Sequence, residues 1–115
     1  MVVGVCHLAA LGETYWAARG QGAWTSRRSA EGNAWEEPRR LSASSIDRRD
    51  RAVVCLSTFN ALARHPLAGR ALDYLSTAWA VRSISGCFEA MLVASGRAEV
   101  WIELEDGGRR HDIAQ

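Results

Sequence analysis

The chain has 115 residues, 48% of them apolar and 23% charged, and a formal net charge of +1. That length fits one small domain with no room for two, and the composition is globular and not that of a disordered chain. A charge this close to zero gives no electrostatic case for nucleic acid or an acidic membrane as partner. No run of about eighteen apolar residues is present to cross a bilayer. The opening Met1-Val2-Val3-Gly4-Val5-Cys6 lacks the basic start and long apolar run of a signal peptide, so the cytoplasm is the default location.

All fourteen basic residues are arginine. Their densest cluster, Arg48-Arg49-Asp50-Arg51, is interrupted by an acid and reads as a solvated loop. Cys6, Cys55 and Cys87 are far apart, odd in number and without Cys/His ligand spacing. Neither a zinc site nor a disulfide framework is supported, and the three read as buried small hydrophobes.

Val2 to His7 reads as a strand, Gly12 as a turn, and Glu13 to Arg19 as a second strand pairing with the first in a hairpin. Gly20-Gln21-Gly22-Ala23-Trp24 makes a tight turn into a further extended piece; a lone Gly-x-Gly without a following helix is not a phosphate loop. Residues 26–38 are polar and expected as an exposed loop, followed by a short edge strand near Arg39-Arg40-Leu41-Ser42. Ser44, Ser45 and Asp47 offer turn chemistry. Ala52 to Ser57 is a continuous apolar run, suited to a strand covered on both faces.

Phe59 to Leu75 has helical periodicity, with Pro66 setting the start of the regular helix. Ala78 to Ile84 is expected as a strand and Cys87 to Ser95 as a helix stopped by Gly96. Arg97 to Leu104 alternates, with Val100, Ile102 and Leu104 on one face and Glu99, Trp101 and Glu103 on the other. Glu105 to Arg110 is a Gly-Gly loop, and His111-Asp112-Ile113-Ala114 reads as the first turn of a helix. Strands followed by alternating strand and helix give a mixed α/β layered fold.

Three stretches, in order, resemble the inositol monophosphatase superfamily, including its histidinol-phosphatase-like members. They are Gly12-Glu13-Thr14-Tyr15-Trp16-Ala17-Ala18-Arg19-Gly20-Gln21-Gly22-Ala23-Trp24, then Leu92-Val93-Ala94-Ser95-Gly96-Arg97-Ala98-Glu99-Val100, then His111-Asp112-Ile113-Ala114. The resemblance implies an incomplete α/β layered sandwich of the inositol monophosphatase/fructose-bisphosphatase type. Residues 1–115 would form a single partial domain, the central to C-terminal part of that fold.

The resemblance also implies Mg²⁺-dependent phosphomonoester hydrolysis, with metal ions activating water and neutralising the leaving oxygen. Asp112 falls on a family ligand of Mg²⁺, a cation that prefers oxygen donors. Taken alone, it is a helix N-cap. Glu103 falls on the family's contact to a substrate hydroxyl; taken alone, it is a surface carboxylate. Ser85 and Gly86 fall on the substrate-contacting segment before a helix, whose free N–H groups favour an anion, while Ile84 stands where the family carries Gly.

His111 replaces the family's Trp, Glu103 and Asp112 are about two residues further apart than usual, and Gln115 follows Ala114 where a second Ala is usual. The Asp-Pro-(Ile/Leu)-Asp-Gly-Thr motif that supplies most metal ligands is absent from the sequence. The implied substrate is a small phosphorylated molecule: histidinol phosphate, an inositol phosphate or a sugar phosphate. A homodimer is allowed for the intact protein, and residues 1–115 are expected to be inactive alone. Two other readings stand beside this one. The chain is a non-catalytic interaction module using Trp16, Trp24 and Trp35 as an exposed partner surface, or it is a remnant without function.

Overall fold

A computed structural model describes residues 2–84 and 86–104. The chain divides into two compact units, Met1–Ser42 and Ala43–Gln115.

The first unit is an antiparallel sheet in the order β1-β2-β3-β4. Its strands are β1 (Val3–Leu8), β2 (Glu13–Ala18), β3 (Gly22–Arg27) and β4 (Arg39–Arg40). The β1-β2 register sets Val5 opposite Trp16 and His7 opposite Thr14. The chain leaves β1 through a 3-10 turn at Ala9–Leu11 and reverses at Gly12, whose φ of +62° is left-handed. A side chain there would also come within 3.2 Å of the Arg28 Cβ, so glycine suits the position on both counts.

Tyr15 is the unit's buried aromatic, and its hydroxyl donates to Glu13 Oε2. The segment expected as an exposed loop over residues 26–38 is more ordered than its polarity suggests. Ser26 and Arg27 complete β3, and the Ser26 hydroxyl is buried because it donates to the Glu36 carbonyl at 2.6 Å. An isolated bridge between Arg28 and Trp35 then closes the excursion. Trp16 and Trp24 are half-buried and only Trp35 of the three is exposed, which corrects the reading of them as one exposed aromatic set.

The second unit is a parallel three-stranded sheet in the order β6-β5-β7. The strands are β5 (Val53–Leu56), β6 (Ala80–Arg82) and β7 (Val100–Ile102). Val54, Cys55 and Leu56 are almost wholly buried, as befits a central parallel strand covered on both faces. On one face Val54 and Leu56 pack with Leu62 and Leu75 of two helices, α1 (Phe59–Arg64) and α2 (Ala68–Ser76), and with Val100, Ile102 and Leu104.

The expected single helix is two. His65 takes the extended backbone (φ −82°, ψ 141°) that a residue before proline prefers, and α2 starts only after Pro66. The opposite face of β5 carries Val53, Cys55 and Ser57 by strand alternation. Ser57 bonds to the third helix, α3 (Gly86–Ala94), which therefore covers that side. Cys55 is buried as expected, Cys6 is partly buried, and Cys87 is exposed, contrary to its reading as a core residue. It stands on the first turn of α3.

Candidate functional site

In the second unit β5 sends its connection to α1 and α2 on one face, while β6 sends its connection to α3 on the other. Neighbouring parallel strands whose connections leave to opposite faces open a crevice at their carboxyl ends, where open α/β sheets bind ligands. The residues at that end are Ser57 and Thr58 after β5, Ser83 and Ile84 after β6, the start of α3 at Gly86, and Glu103 after β7.

A buried carboxylate holds these segments together. Glu89, on the first turn of α3, has 0% exposure. Its Oε2 accepts from the Ser57 hydroxyl at 2.7 Å and its Oε1 accepts from the Ile84 backbone N–H, also at 2.7 Å. The Trp101 indole N–H on β7 donates in turn to the Ser57 oxygen. The Ser57 and Ile84 donors both point at the carboxylate, so its buried charge is compensated by hydrogen bonds, as burial requires. Glu89 is the one charged residue in an otherwise apolar helix sequence, and that was the sequence signal for it. Its partners lie 5 and 32 residues away, beyond the reach of periodicity.

Of the sequence-derived site residues, Gly86 opens α3 at the crevice. Glu103 is exposed just past β7, in phase with Trp101 and so on the α3 side of the sheet. Ser85 and Asp112, and with them the loop at 105–110 and the expected helix start at 111–114, lie outside the described residues. Among the described residues no cluster of three His, Cys, Asp or Glu could hold a metal ion. Those residues do not by themselves fit Mg²⁺.

The second sequence motif has a structural explanation. Gly96, at φ +71°, ends α3 with a left-handed residue. The Arg97 N–H returns to the Leu92 carbonyl at 2.8 Å, and Ala98 is buried at 1% exposure. Glu99 clamps the start of β5, its Oε2 accepting from the Val53 N–H at 2.6 Å and its own N–H donating to the Val53 carbonyl at 3.0 Å.

Cys55 lies beneath α3. Burial, followed by the negative charges of Glu89 and Glu99, pushes its thiol above the usual cysteine range against an opposing pull from Arg82. A shallow groove of about 400 Å³ lies at the opposite, amino end of this sheet, lined by Ser44, Arg51, Trp79 and Arg97 among others. Another of about 450 Å³ lies in the first unit beside Trp16 and Trp35. Neither includes the carboxyl-end residues. No helix among the described residues is long and apolar enough to cross a membrane.

No protein-family model matches the chain. It is 35% identical over 101 residues to a histidinol-phosphatase of Mycobacterium tuberculosis, a match that covers 88% of this chain and 36% of that protein. Among solved structures it is similar to Mycobacterium tuberculosis SuhB, with a TM-score of 0.65 at 20% identity over 90% of this chain and 41% of that one. It is similar also to a staphylococcal IMPase-II, with a TM-score of 0.65 at 18% identity over 86% of this chain and 34% of that one. The chain thus spans about a third of the curated relative's length. The structural likenesses establish the mixed α/β fold, and over 101 residues the chain is similar in sequence to a histidinol-phosphatase.

Proposed function

We propose that this chain supplies the substrate-side crevice of a Mg²⁺-dependent phosphomonoester phosphatase of the histidinol-phosphatase or inositol monophosphatase kind. The observation that carries the reading is the 35% identity over 101 residues to a histidinol-phosphatase. The crevice at the strand carboxyl ends supports it, being where an α/β sheet offers a helix start to an anion. One solved neighbour, a staphylococcal IMPase-II with a TM-score of 0.66 at 17% identity, is described as bound to inositol monophosphate.

In this reading the backbone at Ser85 and Gly86 meets the substrate and Glu103 accepts from a substrate hydroxyl. Asp112 is a Mg²⁺ ligand. The substrate is a small phosphorylated molecule, with histidinol phosphate, inositol phosphates and sugar phosphates as the candidates, and the setting is the cytoplasm. Mg²⁺ dehydrates reluctantly, so the single family carboxylate in this sequence holds it weakly. Residues 1–115 alone should then release no phosphate from histidinol phosphate or inositol monophosphate above a buffer blank, with or without Mg²⁺. Turnover by this chain that disappears in Asp112→Asn would overturn the reading of a single remaining ligand and require a ligand set within residues 1–115.

A further inference from the structure

From the buried hydrogen bonds of Glu89 we infer that this residue is the positioning residue of the crevice. It fixes Ile84 beside the end of β5, so that the start of α3 at Gly86 presents its backbone to a phosphorylated ligand in one conformation. This inference rests on the substrate reading of that segment given above.

Ile84 is 57% exposed, yet its N–H is taken by a carboxylate with no exposure at all. An exposed loop amide has water as an alternative partner, so a bond to buried charge selects one loop position from many. The second carboxylate oxygen is tied through Ser57 to the end of β5, and Ser57 is tied to Trp101 of β7. One side chain therefore links the ends of β5 and β7 and the segment after β6.

The test uses the 115-residue chain and three readouts: amide exchange at Ile84, the thermal midpoint, and the Kd for histidinol phosphate from NMR titration. In Glu89→Leu, Ile84 exchange should accelerate about tenfold as its bond to a charged acceptor is lost. The Kd should rise several-fold at a temperature well below the thermal midpoint, which itself falls because the Ser57 and Ile84 donors lose their acceptor. Glu89→Gln offers one acceptor oxygen to two donors and should give an intermediate exchange rate; it carries the test if the leucine variant does not fold.

Unchanged Ile84 exchange in whichever variant folds overturns the positioning role and leaves the substrate reading standing. Accelerated exchange with an unchanged Kd overturns the substrate reading, and with it the link between this clamp and the ligand. A rise in Kd that disappears once the unfolded fraction is corrected for assigns Glu89 to the fold alone.

Discussion

The two units differ in what they bury. In the first, Tyr15 and Ser26 are the buried side chains, and each uses its hydroxyl in a hydrogen bond within the unit, Tyr15 to Glu13 of the same strand and Ser26 to the Glu36 carbonyl of the following loop. In the second, Ala52, Val54, Cys55, Leu56, Leu62, Leu75 and Ala98 are buried, and the polar exception is Glu89. An antiparallel meander satisfies its backbone locally and can leave one face to water, whereas a parallel sheet must be covered on both faces. Where such a core admits a carboxylate, a role beyond packing is the first thing to test, and here the carboxylate lies at the carboxyl end of the sheet.

Substitutions can break this contrast, beginning with the largest expected effect. Leu62→Ala removes a side chain with 1% exposure from the core of the second unit and should cost about 2–5 kcal/mol in urea unfolding. A loss under about 1 kcal/mol would mean that the core is not close-packed there. Gly12→Ala places a side chain at φ +62° and against Arg28. It should cost about 1 kcal/mol or slightly more, with the loss of amide protection centred on β1 and β2.

Cys55 sharpens the comparison through pH. Its folded thiol holds its proton to higher pH than an unfolded one, chiefly because of burial. The associated stability is complete below the unfolded value of about 8.5 and is lost as pH rises past it toward the folded value. Thermal midpoints between neutral and strongly alkaline pH should show this decline in the wild type and less of it in Cys55→Ala. Thiol labelling should modify exposed Cys87 first and Cys55 last. At the small end, Arg48 holds the Asp50 carboxyl below its usual range through a fully exposed salt bridge of 2.6 Å. Asp50→Asn should leave the thermal midpoint unchanged within error, because exposed pairs contribute little.

The strands at Val3–Leu8, Glu13–Ala18 and Val53–Leu56 were legible because their β-branched and apolar runs match their surroundings. The stop at Gly96 was legible because only a left-handed residue fits there. Ser26 was misread because its burial depends on a carbonyl ten residues away. The break before Pro66 was half-read: proline set the start of α2, but the turn of helix before it is held by Leu62 in the core. At the crevice, Gly86 and Glu103 came from family resemblance, whereas the Glu89–Ser57–Trp101 chain spans three elements and follows from no local pattern.

The most direct measurement is a ¹⁵N-resolved titration of the 115-residue chain with histidinol phosphate in the presence of Mg²⁺. The prediction is that shifts concentrate at Ser57, Thr58, Ile84, Ser85, Gly86 and Glu103, around the carboxyl ends of β5, β6 and β7. Shifts concentrated instead at Ser44, Arg51, Trp79 and Arg97, at the amino end of the same sheet, would contradict the assignment of the crevice as the substrate site.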